Sequence, residues 1–211
     1  MANIQHTDIP EAQLHEAKGA STSTVGQVLT STGGAATFQT PSTAPAAGTV
    51  SQGVYDYNDL ATTSTPISLA SANTQYLMTN DGLGSFTNKN YALPGVSDLW
   101  NSSTSRFDFS GLSLGDTVDI RVDFSVTTTT TNTVIDFALE LGLGSSPYQV
   151  EVMSPVNFKS AQTYSMVHWQ GIYMGDNNTL QNPARLLARA DKTGVSVVVN
   201  GWYVRPLHTN T

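Results

Sequence analysis

Between Val118 and Val126 every second residue is large and apolar. Val118, Ile120, Val122, Phe124 and Val126 alternate with Asp119, Arg121, Asp123 and Ser125. That period of two predicts a β-strand with one buried and one wetted face. The polar run "TTTTTNT" follows as a loop, and "VIDFALEL" predicts a second strand with Ile135, Phe137, Leu139 and Leu141 on one side. "YQVEV", "YSMVHWQGIYM" and "VSVVVNGWYV" continue the pattern, separated by the turn signals "GLGSSP", "GDNNT" and "DKTG". "NPARLLARA" is compatible with a helix and equally with a strand. Short strands at this spacing predict an all-β fold, an antiparallel sandwich or barrel.

The N-terminal part reads differently. "GQVLTSTGGAATFQTP", residues 26–41, sets Val28, Leu29 and Phe38 in a ground of Gly, Ala, Ser and Thr. Gln27-x-Leu29, Gly34 and Phe38 are echoed at the same spacings by Gln75-x-Leu77, Gly82 and Phe86. Each copy predicts a small hairpin, the second turning at the "NDG" of Asn80–Gly82. An isolated two-stranded hairpin is marginal in water, so each needs another surface to lie on. Three regions are therefore expected. Residues 1–47 form an extended arm ending in the Pro/Ala/Thr-rich linker "TPSTAPAAGT", 48–94 a small β module or second hairpin segment, and 95–211 the β-sandwich.

Composition narrows the function. Charged residues are only 12% of the chain, with a net charge of -7. No basic residue lies between Lys18 and Lys89, so no phosphate-tracking surface is expected there and no nucleic-acid partner. There is no cysteine, which removes disulfides and thiolate metal sites and leaves stability to packing or oligomerisation. The start "MANIQHTDIPEAQLHEAKG" has early acidic residues and no apolar core, unlike a secretory signal. No run approaches the roughly 20 apolar residues of a membrane helix, so no membrane partner is expected.

Candidate chemistry is sparse. Gly111-Leu112-Ser113-Leu114-Gly115 matches G-x-S-x-G, but that motif needs a helix after the serine, and here the clearest strand follows. His6, His15, His168 and His208 have no metal-ligand spacing. Asp119 and Asp123 flank Arg121 on one strand face, where charge pairing is the expected role. "GDNNT" offers Asp176 and Asn178 to calcium with too few carboxylates. Arg185 and Arg189 are read as a solvated face. No catalytic residue, metal or cofactor is expected, and the chain is not read as an enzyme.

Residues 9–41, "IPEAQLHEAKGASTSTVGQVLTSTGGAATFQTP", resemble a short N-terminal motif of tailed-bacteriophage structural proteins, including head decoration proteins, head fibres and some tail fibres. The motif runs Ile-Pro, Leu-His-Glu-Pro-Lys-Gly, a Ser/Thr/Ala stretch, Gly-Gln-Val, a Gly-rich turn and an aromatic. Ile9, Pro10, Leu14, His15, Glu16, Lys18, Gly19, Gly26, Gln27, Val28 and Gly34 match it. Ala17 stands where Pro is common, which loosens that turn, and Phe38 where Trp is common. The later strands, ending in "VNGWYVRPL", are similar in style to jelly-roll domains of the tumour-necrosis-factor and C1q type.

These resemblances imply a capsid decoration protein of cement or head-fibre type, on the capsid exterior of a virion assembled in the host bacterial cytoplasm. Ile9, Pro10, Leu14, His15, Glu16, Lys18, Gly19, Leu29 and Phe38 would anchor it to the phage major capsid protein. A homotrimeric jelly roll would project outward, with a face open to a host surface glycan. The rivals are a tail fibre or receptor-binding tip, which lacks its long repetitive shaft here, and a virion-associated hydrolase, which lacks a credible nucleophile.

Overall fold

The computed structural model describes residues 28–31, 36–39 and 50–209. The chain divides into two compact units, Met1–Ala46 and Ala47–Thr211. In the first, β1 (Val28–Ser31) and β2 (Ala36–Gln39) form an antiparallel hairpin in which Leu29 is the register partner of Phe38. The two members of the expected Leu–Phe pair thus sit opposite one another on the hairpin backbone.

The second unit opens with β3 (Val50–Gln52), β4 (Val54–Asn58), the one-turn helix α1 (Ala61–Ser64), β5 (Ile67–Leu69), β6 (Gln75–Leu77), β7 (Asn88–Tyr91), β8 (Trp100–Asn101) and β9 (Arg106–Phe107). Longer strands follow: β10 (Thr117–Thr128), β11 (Thr133–Leu141), β12 (Tyr148–Phe158), β13 (Thr163–Tyr173), the short helix α2 (Asn177–Gln181), β14 (Arg185–Ala190) and β15 (Val195–Thr209). The larger sheet runs β13-β10-β15-β4-β7, with β3 and β5 also on β15; the smaller runs β12-β11-β14-β6. All these pairings are antiparallel. β4 pairs with β15, β6 with β14, β10 with β13 and β11 with β12. The chain is therefore one long doubled ribbon rolled into two facing sheets, which is the jelly-roll arrangement.

The core follows from the alternation. Val118, Ile120, Val122, Phe124 and Val126 of β10 face Ile135, Phe137, Leu139 and Leu141 of β11, and all nine are buried. Phe124 and Phe137 stack across the gap between sheets at 4.4 Å. Trp202, fully buried, meets Trp100 at 5.5 Å and Phe107 at 6.0 Å. Its inward position depends on a bulge. Val195, Val197 and Val199 point inward, then Trp202 and Val204, so the parity of β15 switches once. The register against β10 jumps there, Asp123 facing Gly201 and Phe124 facing Val199. Gly201 is required because a Cβ would lie 2.8 Å from the Tyr57 carbonyl oxygen.

Two expectations are corrected. Residues 48–94 are not a separate module: β3, β4 and β5 pair with β15, β6 pairs with β14, and Tyr55, Tyr57, Leu69 and Met78 belong to the core. Nor do residues 75–86 form a hairpin. Leu77 pairs with Leu187 of β14, and Phe86 lies in a turn with 79% of its surface exposed. The "NDG" turn exists, with Gly82 at φ 66°, but it is tied to the core instead. The Asn80 side chain donates to the Tyr57 carbonyl (2.8 Å), and the Asn80 carbonyl accepts from the Trp100 indole (2.9 Å). "RLLARA" is a strand, since it fills the slot between β11 and β6.

A fragment starting at Ala47 is expected to fold as the full chain does, whereas one starting at Gly95 loses β3–β7 and is expected to stay unfolded by circular dichroism. Phe124→Ala should cost about 3–5 kcal/mol in urea unfolding, because it empties the contact between the sheets.

Candidate functional site

Of the residues expected to anchor the protein, Ile9, Pro10, Leu14, His15, Glu16, Lys18 and Gly19 lie outside the described residues. Leu29 and Phe38 are brought opposite one another by the β1–β2 register.

Most of the described residues considered for chemistry have structural occupations. Ser113 lies in a loop before β10, and its backbone N–H donates to the Asp116 carboxylate (2.8 Å). The same oxygen of Asp116 lies 2.7 Å from Nδ1 of His208. That is part of a hydrolase-like constellation, but no hydrogen bond joins the Ser113 hydroxyl to His208 among the described residues. The buried Asp116 instead fastens the end of β15 to the loop entering β10. Asp176 is the N-cap of α2, accepting from the Thr179 N–H (2.7 Å) and hydroxyl (2.9 Å), and these bonds hold its carboxyl below the ordinary range. Arg185 pairs with Glu140 and Arg189 with Asp136 across β14 and β11. No group of three or more metal-ligating side chains occurs among the described residues. Nor is any described helix long and apolar enough to cross a membrane.

A cleft of about 330 Å³ is lined by Asp98, Trp100, Asn101, Ser102 and Asp108. Its carboxylates are also engaged. Asp98 accepts from the Tyr57 hydroxyl and the Lys89 ammonium, each at 2.6 Å, and Asp108 accepts from the Ser110 N–H at 3.0 Å. Burial pushes the Asp98 carboxyl up, but the bonds from Lys89, Tyr57 and the Trp100 N–H outweigh it and leave it below the ordinary range.

The largest departure from a wetted face is on the outside of the larger sheet. One cross-strand row reads Trp169 (β13), Arg121 (β10), Tyr203 (β15), Asp56 (β4) and Asn88 (β7). The Arg121 guanidinium lies 5.9 Å from the Trp169 ring and 5.5 Å from the Tyr203 ring, and the two rings meet edge to face at 5.7 Å. Arg121 also grips Asp123 (2.9 Å), and one row away Arg205 grips Asp119 (2.6 Å). Asp123 Oδ1 and Arg205 Nε are shut off from water without a partner. Burial holds the Asp56 carboxyl above its ordinary range, against the pull of Arg121.

Along the edge strand β13, Val167 (63% exposed), Trp169 (49%) and Tyr173 (64%) point outward. On its inner side Tyr164, Met166 and His168 are only half-buried, and Ile172 alone is covered. Sequence reasoning passed over this surface. Its signal was that "YSMVHW" is apolar on both parities, which a strand with one wetted face is not.

No protein-family model matches the chain, and no curated protein matches it. Among solved structures it is similar to infectious bursal disease virus, Gx strain (8% identity, TM-score 0.37, 87% of this chain and 37% of that one). It is also similar to the CBM22-1 xylan-binding domain of Paenibacillus barcinonensis Xyn10C (9% identity, TM-score 0.35, 78% and 99%) and to Tobacco streak virus coat protein (12% identity, TM-score 0.30, 81% and 93%). The chain spans little more than a third of the bursal disease virus chain it matches. These likenesses assign neither function nor partner.

Ser113→Ala should leave folding and assembly unchanged, and an esterase or glycosidase activity that vanished in this variant would overturn the structural reading. The depressed Asp98 carboxyl contributes stability that is present above the ordinary aspartate value and lost as pH falls through its folded value. Melting temperatures between about pH 5 and pH 2 should therefore fall less steeply in Asp98→Asn than in the wild type.

Proposed function

We propose that this chain is a tailed-phage virion protein that decorates the capsid, anchored to the major capsid protein by its N-terminal arm and projecting a trimeric jelly roll. The observation that carries the reading is the segment Leu14-His15-Glu16-Ala17-Lys18-Gly19, which resembles the phage motif, followed by a hairpin that belongs to the first compact unit, Met1–Ala46. A hairpin of two four-residue strands cannot bury its own apolar residues, which suits it to lie on another protein.

The sandwich supports a tether at one end. β3, where the chain enters, pairs with the final residues of β15, Val50 with Thr209. The loops 129–132, 159–162 and 191–194 lie at the opposite end, since Thr128 pairs with Val195 and Thr127 with Thr163. They are polar and cross-linked, Lys192 donating to the carbonyls of Thr131 and Asn132 at 2.8 Å each. On an anchored protein these loops face outward. A non-enzymatic role accords with Ser113 and Asp116 being structurally engaged.

Leu14, Leu29 and Phe38 supply the apolar contact with the capsid, each worth roughly 1.5–3 kcal/mol if fully buried. Three arms per trimer multiply that attachment by avidity. Glu16 and Lys18 set register more than affinity. Deleting residues 2–40 should leave a folded trimer that no longer co-sediments with heads lacking the native protein. Full decoration by the truncated form would move the contact to the sandwich. Binding of the full chain to tails and never to heads would make it a tail-fibre protein.

A further inference from the structure

We propose that the outer face of the smaller sheet binds a neutral sugar ring, a hexopyranose unit of a surface polysaccharide, between Gln75 and Gln149. These two glutamines sit at opposite margins of the sheet, Gln75 on β6 and Gln149 on β12, with β14 and β11 between them. Their side chains nevertheless meet. The Gln75 amide donates to the Gln149 side-chain carbonyl at 2.9 Å, and the Gln149 amide donates back to that of Gln75 at 3.1 Å. The pair therefore bridges both intervening strands.

Below the bridge lies an apolar row. Leu187 has Ala138 and Leu77 as register partners, which puts it on the outer face, whereas its neighbours Leu186 and Ala188 belong to the core. Even so, Leu187 is only 4% exposed. Gln75 stands beside Arg189, and Gln149 beside Glu140, which faces Arg185, so the bridge runs diagonally across the position of Leu187. Ion pairs flank that position along the strands, Arg189 with Asp136 at 2.8 Å and Arg185 with Glu140. The face also holds a cavity of about 240 Å³, whose walls include Gln75, Asp136, Ala138, Gln149, Pro155 and Arg189.

These walls select the ligand. The lining charges, Asp136 and Arg189, neutralise one another, so neither an anion nor a cation finds a free counter-charge. What remains is two planar amides, each offering donors and an acceptor side by side. Hydroxyls on adjacent ring carbons present the matching pair. A sugar entering between the glutamines exchanges amide–amide bonds for amide–hydroxyl bonds with little net change, and its C–H face covers Ala138 and Pro155. The volume lies below the roughly 300–1,000 Å³ of sites for drug-sized ligands, so the cavity takes one ring. A peptide fits less well. The backbones of β11 and β14 are paired on both sides and offer no free edge for strand addition. The aromatic residue of the lining, Phe137, is 1% exposed, so the sugar gains no ring stacking and a single site is weak, with Kd on the order of 1 mM. Many copies on one particle would raise that by avidity, and only this last step rests on the decoration reading.

The test uses the full-length protein without capsids, so its failure leaves the decoration reading standing, and a failure to bind heads leaves this site standing. Saturation-transfer NMR with the methyl glycosides of glucose, galactose and mannose should show transfer to at least one of them. Gln75→Ala and Gln149→Ala, both at exposed positions, should keep the circular dichroism spectrum and weaken that binding roughly tenfold each. Asn101→Ala, in the cleft beside Trp100, should leave it unchanged. Absence of transfer to all three glycosides overturns the proposal, as does binding that survives both glutamine variants. Binding lost in Asn101→Ala instead moves the sugar to the other cleft and overturns this site. Preference for glucuronate or glucosamine over the neutral glycosides overturns the charge argument and the proposal with it. Transfer to glycylglycine and to no sugar assigns the face to a peptide and overturns it too.

Discussion

Everything in the sandwich depends on where β15 lies. The final strand sits between β10 and β4 in the larger sheet and also pairs with β3 and β5, so the first and last segments of the second unit are joined through it. Between the stretches held by β4 and β5, a side chain takes the place of a strand. The Thr62 hydroxyl donates to the Val199 carbonyl (3.1 Å) and accepts from its N–H (2.8 Å), so the backbone there stays satisfied. Asp59 holds Thr62 in place by accepting its backbone N–H at 2.6 Å, and it shares the single hydroxyl proton, at 2.6 Å, with the Val199 carbonyl. The bonds between Thr62 and Val199 cannot form until the ends of the unit have met, so the fold carries the loop-closure cost of non-local pairing before its core forms.

The same strand sets the chemistry of the surface. The bulge at Gly201 turns Trp202 into the core, and the next residue, Tyr203, must therefore point out beside Arg121 and Trp169. One inserted residue thus decides both the central aromatic of the core and the central aromatic of the outer face. Without the bulge the parity would reverse, and a tyrosine hydroxyl would sit in the core while an indole faced water.

The proposed division of labour follows from this layout. In the proposed function the arm and its hairpin would carry attachment and the polar loops at the end away from β3 would face outward. Each of these is a matter of exposed surface and none needs a reacting group. That accords with carboxylates and hydroxyls bound up in caps, turns and ion pairs at Asp59, Asp98, Asp116 and Asp176.

The long strands and their buried faces were legible in the sequence, because period-two alternation is a local property that a one-sided strand must display. Val118–Val126 and Ile135–Leu141 show it without interruption. That "SGLSLGD" is a loop and "GDNNT" a turn segment was legible too, since neither had the neighbours its chemistry requires, whereas the cap that Asp176 provides to α2 was not. The pairings were not. Residues 75–77 look like half of a hairpin, and only the folded chain supplies β14 as the better partner, more than 100 residues away. "RLLARA" stayed open between helix and strand because two adjacent leucines fit either period, and the empty lane between β11 and β6 decided it. The outer-face cluster of Trp169, Arg121 and Tyr203 was beyond reach for the same reason. Sequence order holds side-chain parity, but which strand lies beside which is fixed by closing the sheets, and that is a property of the whole chain.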